Sequence, residues 1–260
     1  MRQRSTLLLG CLTFAAGLLL AHSAAYSQTF DPTHYWSYKL LSPRIVPDPI
    51  RVSDQFYRVP VAVQVDSLTH LLNWVQKNNS AVTDTFTHYL WWNIPPKLPT
   101  QRDVVIDNQF GSFPVHVTNL EFLLSPAYKN ANLPIPPWTN RNHYTCYRAQ
   151  APGPPGTWFL RDEWRSDVQD IGELKYLCLP CFKEHLGQIY PPADTLTHLA
   201  VYEIHPQSDY FIPAVFDQFI QGQILVQQSP PEYLFVPSLK HDIPTDVKRR
   251  SWGRIKTLYR

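Results

Sequence analysis

The chain has 260 residues, of which 44% are hydrophobic and only 17% charged, and its formal net charge is +2. Residues 28–239 carry 14 Lys/Arg against 19 Asp/Glu, whereas residues 240–260 carry seven against two. An acidic body with a basic end and no interleaved basic patch argues against nucleic acid as a partner; with 25 prolines and 9 glycines, the composition favours strands joined by proline-punctuated loops over long helices.

The first predicted element is a targeting segment. Arg2 and Arg4 precede an apolar run over 7–20, and small residues follow in AHSAAYSQT. This pattern reads as a signal peptide over 1–27, cut after Ser27, with a cut after Ala25 as the alternative. The run is short for a membrane span, which needs about 20 apolar residues. Cys11 falls inside it, and the expected destination is the cell surface or the medium.

Four related units follow in order. The first opens at His34 (THYWSYKL), passes Asp54-Gln55-Phe56 and closes at Lys77 (LLNWVQK). The second opens at His88 (THYLWWNI), passes Asn108-Gln109-Phe110 and closes at Lys129 (LLSPAYK). The third opens at His143 (NHYTCYRA), passes Asp162-Glu163-Trp164 and closes at Lys183 (LCLPCFK). The fourth opens at His198 (THLAVYEI), passes Asp217-Gln218-Phe219 and closes at Lys240 (LFVPSLK). The histidines are spaced by 54, 55 and 55 residues, the signature of an array of supersecondary units. Alternation in VPVAVQV (59–65) and FPVHVTN (113–119) predicts half-buried strands within them.

The junctions suggest a pair of pairs. Residues 84–88 read DTFTH and residues 194–198 read DTLTH, but the middle junction is the proline-rich NANLPIPPWTNRNH. The expected fold class is therefore all-β: two pseudo-two-fold sandwich or small-barrel domains, 29–132 and 139–243, joined through 134–138. The remainder, 244–260, is a basic C-terminal tail. In it Trp252, Ile255, Leu258 and Tyr259 recur at three- and four-residue spacing among basic side chains, an arrangement expected to serve as a surface address.

The third unit, NHYTCYR, RDEW and YLCLPCFK, resembles a repeat domain of secreted bacterial proteins whose units run H-x-x-C-Y-K, D-Q-F-G and L-C-x-P-x-x-K. The likeness covers most of residues 33–240 and implies a repeat fold with no assigned activity. Unit three departs from that pattern with Glu163-Trp164 in place of Gln-Phe, and unit one has Trp74 where the others have proline.

Aligned on one another, the units place Cys146 opposite Ser37, Trp91 and Val201, and Cys178 opposite Leu72, Leu124 and Phe235. Two cysteines that occur together in a single unit predict a disulfide between its first and last strands, stable in an exported protein and worth about 3–4 kcal/mol by loop closure. Cys181 is left over, either buried and unpaired or available to another chain. The competing reading is a thiol–disulfide oxidoreductase using Cys178 and Cys181 of CLPC; that chemistry needs a thioredoxin-like βαβ setting, which the pattern lacks.

No other chemistry is indicated. The four histidines lack metal-ligand spacing, and Asp162-Glu163 occupies a slot filled by amides elsewhere, which favours a turn over a glycosidase carboxylate. No nucleophile elbow, zincin helix or phosphate loop is present, so no catalytic, cofactor or metal residue is expected. Tyr35, Trp36, Trp91, Trp92, Tyr144 and Trp158 are the candidate ligand-stacking aromatics, since neighbours on a strand face opposite ways. The expected role is a non-catalytic, secreted or cell-surface structural or binding protein. Its partner would be an envelope polymer, a glycan or another surface protein, with membrane contact confined to the signal peptide or basic tail. A carbohydrate-binding module is the alternative.

Overall fold

The computed structural model describes residues 31–40, 49–129, 141–154, 156–205, 212–217, 220–226 and 231–243. The predicted signal peptide and its Ser27 cut, the 134–138 connector and the tail lie outside them. Each unit supplies strands in chain order. Unit one has β1 (His34–Lys39), β2 (Ile50–Ser53), β3 (Val61–Val63) and β4 (Leu68–Lys77); unit two has β5 (His88–Asn108) and β6 (Gly111–Lys129). Unit three has β7 (His143–Ala151), β8 (Thr157–Arg161), β9 (Ser166–His185) and β10 (Gln188–Tyr190). Unit four has β11 (His198–Ile204), β12 (Ile212–Asp217), β13 (Ile220–Val226) and β14 (Pro231–Asp242). The fold is all-β, as expected, and among the described residues no helix is long and apolar enough to cross a membrane.

Eight of these strands close into a ring. β1 pairs with β4, β4 with β5, β5 with β6, β6 with β7, β7 with β9, β9 with β11, β11 with β14, and β14 returns to β1, every pair antiparallel. Each unit gives two staves to one up-and-down barrel, and closure removes the exposed edges that a half-sheet would present. This corrects the expectation of two separately closed domains. Within 29–132 the outermost staves β1 and β6 pair with strands of the other half, β14 and β7.

The remaining strands form an outer layer. Hairpins β2/β3, the distal parts of β5/β6, β8 with the start of β9, and β12/β13 lie between the two staves of their own units. Each then extends the closing strand of the unit two places away. β2 joins β9, the distal part of β5 joins β14, β8 joins β4 and β12 joins β6. In β5 the register shifts across Asn93–Leu98 and Pro99–Arg102 mark where it leaves the barrel wall, at prolines that cannot donate to a ladder.

Two cores result. The inner one gathers Tyr35, Leu72, Tyr89, Trp91, Phe122, Leu124, Tyr144, Cys146, Tyr176, Cys178, Leu199, Val201 and Phe235 from all four units, so it fills the lumen. The outer one packs Trp36, Tyr38, Trp92, Tyr147 and Tyr202 on the barrel's outside against hairpin residues such as Ile50, Val104 and Leu160. An eight-stranded barrel has an interior just wide enough for side chains to fill.

Candidate functional site

One end of the barrel is sealed by the repeated motifs. Asp84 accepts from the backbone N–H groups of Phe86 and Thr87 at 2.8 and 2.9 Å, and Asp194 from those of Leu196 and Thr197 at 2.7 and 3.1 Å. The DTxTH motif is thus a capped turn that launches a stave. These junction loops hold one another in a circle: Thr33 to Thr83, Arg141 to Asp84 and Thr87, the Asp194 N–H to Asn142, and the Asp31 N–H to Thr197.

The outer turns are tied down at the same end. Asp54, Asn108 and Asp162 each accept backbone N–H groups of their own turn, the conformational role that their alignment with amides suggests. Each also meets a tyrosine hydroxyl two units away: Asp54 that of Tyr147, Asn108 that of Tyr202 and Asp162 that of Tyr38. The closing lysines reach under the turn aromatics of the next unit. Lys77 Nζ lies 5.0 Å from the Phe110 ring, Lys129 4.2 Å from Trp164, and Lys240 5.4 Å from Phe56, which carries the pattern from the last unit to the first. Lys77 also donates to Gln109 Oε1, and Lys129 pairs with Glu163. Burial is the main cause that lowers the pKa values of His34, His88 and His198 to about 4, 3 and 4, and the nearby lysine of the same unit adds to it. Burial disfavours the charged form of each ring, so these histidines work as neutral packing groups.

The candidate stacking aromatics are not exposed. Tyr35, Trp36, Trp91, Trp92 and Tyr144 are all buried, none above 4% accessible. Half-buried Trp158 is covered by Lys77 at 3.9 Å and Phe110 at 5.0 Å. Both faces of the staves are buried, one in the lumen and one beneath the hairpins, so alternation along a strand does not bring a ring to water. Trp91 is the central lumen residue. His70 and Phe122, from the strands on either side of β5, stack on it at 4.4 and 3.6 Å, and Tyr176, Tyr233 and Phe235 approach edge-on or tilted.

The cysteines follow the structural reading. Cys146 and Cys178 face each other across β7 and β9 and form a disulfide inside the lumen. Cys181 is three residues further along β9, which turns its side chain to the opposite face. There it is fully buried in the outer core, and burial raises its thiol pKa well above the ordinary value. The CLPC pair therefore cannot close on itself in this fold.

At the opposite end of the barrel, side chains of all four units meet. Four equivalent positions, His70, Phe122, Tyr176 and Tyr233, form an aromatic layer around Trp91. Beside it lies a cleft of about 360 Å³ lined by Asp66, Trp91, Asn93, Lys97, Glu121 and Tyr176, among others. Charges of both signs ring this mouth. Glu121 lies 3.1 Å from Lys97 and 3.8 Å from Arg148, Lys175 lies 3.1 Å from both Glu173 and Glu203, and Glu232 lies 3.1 Å from His70 and 3.9 Å from Lys39. Burial lowers the His70 pKa, while the His70 hydrogen bond lowers that of Glu232. Lys39, Trp91, Asn93, Arg148 and Glu203 lie in the segments that open the units, but of these only Trp91 was a candidate, because the side chain at the position shared by the other four changes charge from unit to unit. The available signal was positional: Phe122, Tyr176, Tyr233 and His70 stand at one offset from the aligned closing segments.

A family model described as a repeat of unknown function, DUF7450, matches residues 88–237. No curated protein and no solved structure matches the chain.

Proposed function

The chain belongs to the DUF7450 family of repeats of unknown function, and from that premise we propose that it is an exported, non-catalytic β-repeat protein that acts by binding at the barrel mouth. The observation that carries this reading is the filled lumen: Trp91 touches side chains from all four units, so a ligand meets the barrel at its rim and not inside it. Lys97 and Arg148 keep 58% and 47% of their side chains accessible beside Glu121, so the charges on the outside of the ring are available for contact. Such a rim fits a polar partner, an envelope polymer or another surface protein, more closely than a sugar stacked on exposed rings, because the aromatics there are already packed on one another.

The cysteines support export, since a lumenal disulfide persists in oxidising compartments, and the separation of Cys178 from Cys181 weighs against the oxidoreductase reading. The test is an array of envelope glycans, polymers and surface proteins probed with the mature protein. Binding should be abolished by Lys97→Glu with Arg148→Glu, which reverses the rim around Glu121, and unaffected by His116→Ala on the β5/β6 hairpin. Binding that ignores the rim but responds to the hairpin would overturn the assignment.

A further inference from the structure

Three side chains from three separate elements meet in the outer core with the composition needed to form a covalent bond. Asn73 lies on β4 and is fully buried, Lys129 ends β6 with a side chain 8% accessible, and Asp162, 5% accessible, sits in the turn between β8 and β9. Lys129 Nζ is 3.0 Å from Asn73 Oδ1, and Asn73 Nδ2 donates to Asp162 Oδ2 at 2.9 Å. The Glu163 carboxylate lies against the same Nζ. Trp164 and Tyr38 wall the group, Trp164 beneath the lysine and the Tyr38 hydroxyl donating to Asp162 Oδ2. Amine, carboxamide and two carboxylates are thus held in contact within an aromatic shell.

We propose that Lys129 and Asn73 condense into an intramolecular amide, a cross-link between β4 and β6 that spans β5. Glu163 accepts a proton from the lysine ammonium, leaving a neutral amine. Nζ attacks Asn73 Cγ, the bond between Cγ and Nζ forms, and Asp162 relays the surplus amine proton to Nδ2. The Cγ–Nδ2 bond then breaks, and ammonia leaves carrying that proton. No oxidant or cofactor is required. Burial favours the start of this sequence by lowering the Lys129 pKa to about 7, so a sizeable fraction is already neutral, and a desolvated lysine amine is a competent nucleophile. Fixed proximity replaces a bimolecular encounter.

The other units lack the set. At the positions equivalent to Asn73 they carry Ser125, Leu179 and Val236, none a carboxamide. Lys77 does meet a carboxamide, Gln109, but that residue is exposed and the turn beside it offers Asn108, not a carboxylate.

Tryptic mapping of the reduced, denatured full chain decides the matter. The expected product is a branched peptide, 59–77 joined to 103–141, lighter than the sum of its two parts by one ammonia and uncut after Lys129. The branched peptide is the criterion, because cyclisation of an N-terminal glutamine loses the same mass. Lys129→Arg and Asn73→Ser should each give linear peptides only, and Asp162→Asn should leave most chains unjoined. Recovery of linear 59–77 and cleavage after Lys129 in the unaltered protein would overturn the proposal, as would a link from Lys129 to Glu163 with loss of water.

Discussion

The histidines that open the units set the pH response of the fold. His34, His88 and His198 titrate at about 4, 3 and 4 in the folded chain against an ordinary 6.5. Between those values the unfolded chain binds protons that the folded chain refuses, so the histidine contribution to stability is complete above about pH 6.5 and is lost as pH falls toward 3–4. Each tenfold change in proton affinity corresponds to about 1.4 kcal/mol, which makes the decline steep. Lys77 is lowered from 10.5 to about 8, so by the same reasoning stability keeps rising from about pH 8 to the ordinary lysine range. The urea midpoint should climb from pH 4 to pH 9, and His88→Gln should flatten the acid limb. A maximum near pH 5 would refute the account.

At the scale of elements, the delicate points are the bends where a stave leaves the barrel wall for the outer layer. In unit three, Gly153 lies against β9: a Cβ there would stand 2.1 Å from the Gly172 carbonyl oxygen, a backbone atom that cannot rotate away. Gly153→Ala should therefore cost about 1–3 kcal/mol, read as a lowered melting temperature; an unchanged melt would mean that the two segments separate freely. Much at this scale was legible in the sequence. Turns at Asp54, Asn108 and Asp162, staves opening at histidines and the Cys146–Cys178 bond all follow from local pattern or from one unit laid on another. The exposure of the aromatics was not. In β1, Tyr35, Trp36, Ser37 and Tyr38 are all buried, and a strand covered on both faces carries no alternation from which its orientation could be read.

At the scale of the molecule, nothing in the local pattern shows which unit edges meet. DTxTH at two of three junctions suggested pairs, whereas closure depends on long-range pairings, β14 with β1 and β6 with β7, that leave no local trace. The exchange of outer hairpins between units one and three, and between two and four, ties the halves further. Produced separately, 29–132 and 139–243 should each lack a cooperative thermal transition and a dispersed amide spectrum, and mixing them should restore both. A half that folds by itself would show that the ring is two domains after all.

The inner core also bears on how such a chain can arise by copying. Four equivalent positions, Ser37, Trp91, Cys146 and Val201, lie in the lumen, where the Trp91 indole is packed by rings from all four units. Four identical copies would present either four tryptophans to a space that holds one or four small residues around a hole. The units must therefore differ at these positions, while the sealed end, where each unit meets its neighbours in the same way, can carry the same residues in every unit. The motifs by which the units are recognisable are the part of the barrel that symmetry could leave alone.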